Sequence, residues 1–172
     1  MLRIGLLSDT HSYLHPAILP QFAECDEIWH AGDIGSTAVA DALETFKPFR
    51  AVYGNIDGGA LRLRYPEDLH FECEGLRVYM THIGGYPGKY PARVKKALLA
   101  ERPGLFICGH SHILKVMPDP GLQLLHINPG ACGREGFHKM CTVIRFTLDT
   151  GKVKGLEVIE LGLRGRLSDE MT

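Results

Sequence analysis

The segment Arg3-Ile4-Gly5-Leu6-Leu7-Ser8-Asp9-Thr10-His11 decides how the rest of the chain is read. Ile4, Leu6 and Leu7 form a nearly continuous apolar run, the pattern of a short strand buried on both faces of a parallel sheet. The run stops at Ser8 and delivers Asp9 and His11 to a loop. The same event recurs downstream, and that recurrence carries both the fold and the chemistry.

A second strand, Glu27 to Ala31, runs into Gly32-Asp33, and a third, Phe49 to Tyr53, runs into Gly54-Asn55. Leu69 to Cys73 and Leu76 to Thr81 flank Glu74-Gly75 as a hairpin whose second strand ends at His82. Leu105 to Cys108 is a short apolar strand followed by Gly109-His110-Ser111-His112. Between these strands lie helical patterns. Pro16 to Cys25 places Ile18, Leu19 and Phe22 at helical spacing, with Pro20 predicted to shorten or distort it. Ser36 to Phe46 aligns Val39, Ala40, Leu43 and Phe46 on one face, with Ser36 or Thr37 as the cap. Ala92 to Arg102 is stopped by Pro103-Gly104.

Alternating strands and helices with polar strand ends read as a doubly wound α/β sheet, in which ligands bind beyond the carboxyl ends of the strands. After His112 the character changes. Ile113 to Met117, Gln123 to Ile127, Met140 to Leu148 and Val153 to Ile159 read as strands of a second, mainly antiparallel sheet, and Leu163 to Thr172 as a frayed tail.

The 172 residues fit one domain, 1–172, and show no repeat or linker. Lys and Arg total 19 against 20 for Asp and Glu, a formal charge of -1 that gives no broad pull toward nucleic acid or an anionic membrane. The apolar opening meets Ser8, Asp9 and His11 too soon for a signal-peptide core or a spanning helix, so a soluble, cytoplasmic protein is expected. Five cysteines without a Cys-x-x-Cys pair read as free, mostly buried thiols.

Together the strand ends present Asp9-x-His11, Gly32-Asp33, Gly54-Asn55, Thr81-His82 and Gly109-His110-x-His112. Alone, an Asp-x-His or a Gly-Asp reads as a turn. In order at successive strand ends they read as metal ligands, with His110-x-His112 the most specific piece. Imidazole, carboxylate and amide oxygen suit Mn, Fe, Zn, Ni or Co, and seven ligands exceed what one ion needs. His30 alternates with Ile28 and reads as a core histidine or a support for the ligands, with Trp29 packing on the opposite face of the strand. His15, His70, His126 and His138 have no comparable companions, and Cys108 reads as facing the core.

The run resembles the calcineurin-like metallophosphoesterase superfamily, whose pattern is D-x-H, G-D, G-N, a lone H and G-H-x-H, and within it the small bacterial and archaeal phosphodiesterases. The resemblance implies two mixed β-sheets packed as a sandwich flanked by helices, a four-layer αββα fold. It implies two divalent metals, Mn first among the candidates. Asp9, His11 and His112 would hold one, and Asn55, His82 and His110 the other. Asp33 would bridge the ions and offset the repulsion of cations roughly 3.5–4 Å apart. Catalysis would rest on Asp33, Asn55, His82 and His110, with a hydroxide held between the ions attacking phosphorus in a small phosphodiester or nucleotide.

Where many relatives read G-N-H-[DE], this chain has Gly54-Asn55-Ile56-Asp57. Ile56 cannot donate a proton, which points away from phosphomonoesters, while Asp57 has the place of the acid that steadies the motif. Asn128-Pro129-Gly130 resembles a family loop, with Arg134 just beyond it as a candidate contact for substrate phosphate. The partner expected is a small-molecule phosphoester, with nucleic acid and membrane disfavoured and a homo-oligomer left open. A competing reading is a protein-interaction scaffold of the same fold, resembling the retromer small subunit, a branch that has lost metal chemistry.

Overall fold

The computed structural model describes residues 1–165. Its elements, in chain order, are β1 (Leu2–Leu7), α1 (Ile18–Gln21), β2 (Glu27–His30), α2 (Thr37–Phe46), β3 (Phe49–Ala51), α3 (Gly59–Arg64), β4 (Asp68–Cys73), β5 (Leu76–Thr81), α4 (Ala92–Glu101), β6 (Leu105–Ile107), β7 (Lys115–Asp119), β8 (Leu124–Asn128), β9 (Met140–Asp149) and β10 (Lys152–Leu163). They form two five-stranded sheets, ordered β10-β9-β1-β2-β3 and β4-β5-β6-β8-β7.

Both sheets are mixed. β1 runs parallel to β2, and β2 to β3, but β1 is antiparallel to β9. In the second sheet β5, β6 and β8 are parallel, with β4 and β7 antiparallel at the edges. The C-terminal strands therefore do not make the separate, mainly antiparallel sheet that the sequence pattern suggests. They divide, with β7 and β8 extending the second sheet and β9 and β10 extending the first. In β9, Ile144, Phe146 and Leu148 face the core between the sheets and Val143 faces the outer core, so the strand is apolar on both faces and sits inside the first sheet, paired with β1 and β10.

Four layers result. Ile4 and Leu6 of β1, Trp29 of β2, and Ile144, Phe146 and Leu148 of β9 face Val78, Met80, Leu105, Ile107 and Ile127 across the sandwich. Trp29 meets Phe71 and Phe146 edge-on, on the strand face opposite Ile28. Ile18 and Phe22, then Val39, Ala40 and Leu43, then Leu61 cover the outer face of the first sheet, and Val94 and Leu98 of α4 cover the second. Each such buried aliphatic side chain contributes about 1.5–3 kcal/mol relative to exposure.

Local details follow the residue chemistry. Ser36 caps α2 by accepting the Val39 N–H, so the cap is Ser36 rather than Thr37. The first helix is only four residues long, as expected of a segment holding Pro20. The β4–β5 and β9–β10 hairpins turn on Glu74-Gly75 and Thr150-Gly151, each pair at positive φ, which matches the twist of the flanking strands. α3 is unpredicted: it starts at Gly58-Gly59, has no side-chain cap, and buries Leu61 alone within the helix. β7 begins two residues later than expected because Ile113 and Leu114 are exposed loop residues.

The tail expectation is corrected at its start. Leu163 closes β10, and Arg164 donates to the carbonyls of Lys139, His138 and Arg134. The rest of that tail, residues 166–172, lies outside the described residues. All five cysteines are free and buried. Among the described residues no helix is long and apolar enough to cross a membrane.

Candidate metal centre

The strand ends of both sheets converge at one edge of the sandwich. Asp9 and His11 follow β1, Asp33 follows β2, Asn55 follows β3, His82 follows β5, and His110 and His112 follow β6. Two groups of metal-competent atoms form there. Asp9, His11 and His112 make one, and Asp33, His82 and His110 the other, with the atoms of each group all within 4.8 Å of one another. Asn55 joins the second group through its Oδ1, 3.0 Å from His110 Nδ1.

Asp33 also lies near the first group, just as Asp9 Oδ1 lies 3.8 Å from His82 Nε2 of the second. Asp33 Oδ2 lies 3.1 Å from His82 Nε2 in its own group and 3.4 Å from His11 Nε2 in the other. Each carboxylate is turned by hydrogen bonds to its far oxygen. Asp33 Oδ1 accepts the Ile56 N–H at 3.0 Å. Asp9 Oδ2 accepts Ser8 Oγ–H at 2.6 Å and the His110 N–H at 3.2 Å, which leaves Oδ1 facing His112 Nε2 at 3.1 Å. His82 Nδ1 lies 2.7 Å from Ala31 O, and since a carbonyl only accepts, Nδ1 carries a proton and Nε2 is the atom turned toward the carboxylates.

The backbone here is held in an uncommon conformation. Asp9 (φ 57°), His11 (45°), Asp33 (57°), His110 (69°) and His112 (60°) are all left-handed. Such residues cost of order 1–3 kcal/mol each and cluster at functional sites. Two motif glycines have steric reasons. A side-chain carbon on Gly54 would run into Asp33 Oδ1, and one on Gly109 would run into Ser8 Oγ.

The electrostatics match a cation site. Burial works to raise the Asp9 carboxyl, yet the nearby imidazoles of His11 and His112, the charge of His82 and the hydrogen bond from Ser8 hold it far below the usual range. Burial likewise opposes the lowering of Asp33, where His82 and the Ile56 N–H prevail. His11 is raised, chiefly by its contact with Asp9. His82 is raised by Asp33 and Asp9 against its burial. Nε2 of His11 and Nε2 of His82 are buried with no hydrogen-bond partner. Ionised carboxylates beside unpartnered imidazole nitrogens are the donor set that a divalent cation of borderline softness satisfies.

The other anticipated residues fall around this cluster. Asp57 points away from it, accepting the N–H groups of Gly54 (2.8 Å), Gly35 (2.8 Å) and Ile34 (3.2 Å), and so ties the Asn55 turn to the Asp33 loop. Arg134 is not brought to the ligands: its guanidinium stacks on Tyr13, 3.8 Å from the ring centre. Its neighbour Glu135 is the closer group, 3.6 Å from His11 Nδ1. His30 is fully buried. Its Nδ1 accepts the Gly32 N–H, so Nε2 donates to Thr10 Oγ1, which donates to Ile34 O; burial lowers His30 to about 4 and keeps it neutral. It thus ties the Asp9 loop to the Asp33 loop. Ser8, Glu135 and Arg62 carry no motif signal. Ser8 at least stands where the apolar run of β1 breaks.

With fold and ligand geometry in hand, the chain belongs to the calcineurin-like phosphoesterase superfamily, whose domain model matches residues 2–151. A probable metallophosphoesterase of Methanothermobacter thermautotrophicus is 30% identical over 135 residues, covering 74% of this chain and 76% of that protein. The structure of an archaeal phosphodiesterase superposes with a TM-score of 0.75 at 22% identity, covering 92% of this chain and 99% of that one. Wild-type Vps29 of Entamoeba histolytica, solved with zinc, superposes with a TM-score of 0.69 at 16% identity over 94% of this chain and 100% of its own. At these identities the two structural likenesses speak for the fold alone.

Proposed function

We propose that this protein is a hydrolase, a phosphodiesterase working with two divalent metal ions on a small phosphodiester or nucleotide. The observation that supports the reading is that Asp33 Oδ2 lies 3.4 Å from His11 Nε2 and 3.1 Å from His82 Nε2, within reach of both groups as a bridging carboxylate would need to be. Asp9, His11 and His112 would hold one ion, and Asn55, His82 and His110 the other. The nitrogen and oxygen donors, without thiolate, suit Mn, and also Fe, Zn, Ni or Co. When bound, two such ions supply Lewis-acid charge for the phosphoryl oxygens and activate water as a nucleophile at neutral pH.

The chain's own residues then do three things. Asp9 and Asp33 stay ionised under the influence of their histidine neighbours and offset the charge of two cations. The hydrogen bonds from Ser8, the backbone of Ile56 and that of His110 fix which carboxylate oxygens face the site. The Ile56 side chain, 46% exposed beside Asn55, offers no proton to a leaving group, which supports diesters with good leaving groups over monoesters. The core shared by the two sheets supports reading the whole chain as one domain.

The scaffold reading keeps one observation of its own: Ile113, Leu114, Val116 and Met117 are exposed at and before the edge strand β7. Metal analysis together with turnover of bis(para-nitrophenyl) phosphate by the Mn-loaded protein separates the two. Metal-dependent turnover supports the enzyme; a protein that takes up no metal and turns over no diester supports the scaffold.

A further inference from the structure

A cleft of about 430 Å³ opens beside the second ligand group, walled by Tyr53, Asn55, Arg62, Thr81, His82 and Arg93. It carries two guanidinium groups in very different states. Arg93 is committed to acids: Nη1 meets Asp68 Oδ2 at 2.5 Å, and Nη2 lies 3.5 Å from Glu67 Oε1 and 3.3 Å from Thr81 Oγ1. Glu67, which also lines the cleft, reaches both sides of it, with Oε1 toward Arg93 and Oε2 accepting from the Tyr53 hydroxyl at 3.5 Å, yet it makes no ion pair with Arg62. Arg62 has no carboxylate within ion-pair distance among the described residues. Its Nε donates to Asp57 O at 2.7 Å and its Nη2 to Asn55 O at 3.3 Å, while the guanidinium lies over the Tyr53 ring, 4.7 Å from its centre.

These contacts hold a full positive charge in place without neutralising it. A guanidinium has five N–H donors, and the two carbonyls leave both donors of Nη1 and one of Nη2 uncommitted, so an Nη1–Nη2 fork that matches phosphate remains free. Little side-chain freedom remains to be lost when an anion arrives. The position also says which anion. Asn55 stands between Arg62 and the cluster, with its carbonyl oxygen toward Nη2 and its Oδ1 toward His110. An anion on Arg62 would lie across Asn55 from His110, beside the place where the phosphate being cleaved would sit.

We infer that Arg62 is a substrate-binding residue that takes a second phosphate, so that the substrate class is a phosphodiester carrying another phosphate next to the scissile one. The inference rests on the phosphodiesterase reading for its catalytic consequence, but not for the binding itself. Two sources offer this chemistry, a small nucleotide with a terminal phosphate or a nucleic acid strand with an internal one.

The test uses the Mn-loaded full chain and thymidine 5′-(para-nitrophenyl phosphate) with and without a 3′-phosphate. The wild type should prefer the 3′-phosphorylated compound by about tenfold in kcat/KM, the scale of one charge-assisted contact. Arg62→Gln should bring that ratio close to one, and Arg62→Lys, which keeps the charge but not the fork, should retain part of it. A wild-type ratio of one overturns the inference. So does an equal loss on both substrates in the variants with the ratio intact, which would make Arg62 only a clip on the Asn55 turn. A matching substrate whose 3′-phosphate is extended by another nucleotide distinguishes the sources: better turnover of it indicates a strand, poorer turnover a small nucleotide. Should the wild type turn over none of these, the diesterase reading fails, and calorimetry still decides. Tighter binding of adenosine 3′,5′-bisphosphate than of adenosine 5′-monophosphate, lost in Arg62→Gln, upholds the second-phosphate site, and equal binding overturns it.

Discussion

The backbone N–H of Ile56 donates to Asp33 Oδ1 at 3.0 Å, so the carboxylate proposed as the bridge is aimed by a residue whose own side chain is apolar. The turn that follows β3 thereby has two separable parts. Its main chain orients a ligand, while its side chain at 56 decides whether a proton donor stands at the site.

Introducing that donor gives the first prediction. Ile56→His leaves the N–H to Asp33 in place and adds an imidazole where 46% of Ile56 is exposed. The wild type should prefer diesters to monoesters of the same aryl alcohol, and the variant should narrow the gap. General acids contribute about 10²–10⁴-fold, so the gain should be largest for poor alkoxide leaving groups. Measured kcat/KM values for both ester types at equal metal occupancy check this; a wild type that prefers the monoester, unchanged by the histidine, would refute it.

Asp33 and Asp57 should differ most in activity. Asp33→Asn removes the proposed bridging charge and should abolish most activity and lower metal content. In the metal-free protein it should also cost some stability, because the His82 contacts and the Ile56 N–H that hold the Asp33 carboxyl below its ordinary range outweigh the repulsion from Asp9. Asp57→Asn sets an amide donor against one of the backbone N–H groups that Asp57 now accepts from Gly54, Gly35 and Ile34. It should cost about 1–3 kcal/mol in denaturant unfolding while keeping more activity than Asp33→Asn. The reverse order of activities would remove Asp33 from its bridging role.

His126 provides a pH signature remote from the ligands. It is buried on β8 near Phe106 and Tyr90, its Nδ1 has no partner, and burial with the nearby Lys115 charge lowers it to about 4. The unfolded chain protonates this imidazole near 6.5, so its contribution to stability is full above that pH and is lost as pH falls toward 4. Replacing it with Phe should reduce the fall in unfolding free energy between those values by up to one proton's worth, read from urea unfolding of metal-free protein at several pH values. An unchanged slope would show that His126 is protonated in the fold.

The convergence of the candidate side chains was legible because each follows an apolar run, and a strand end is a local event. Asp9-x-His11 and Gly109-His110-x-His112 need no tertiary information to be noticed. Sheet membership is not local: whether β9 pairs with β1 or with β8 depends on edges supplied by residues far away in the chain, and alternation within Met140–Asp149 does not encode them. α3 was hidden by Gly58-Gly59 and the lack of a cap. Arg62 and Arg134 look alike as isolated basic residues. Only packing reveals that Arg62 is fastened beside Asn55 while Arg134 is stacked on Tyr13.

Titrating exhaustively chelated protein with Mn while following bis(para-nitrophenyl) phosphate hydrolysis tests the central claim most directly. Two ligand groups with Asp33 as the proposed bridge predict no hydrolysis without metal and a rate that saturates at about two equivalents per chain. Full hydrolysis by the metal-free protein, or saturation at a single equivalent, would contradict it.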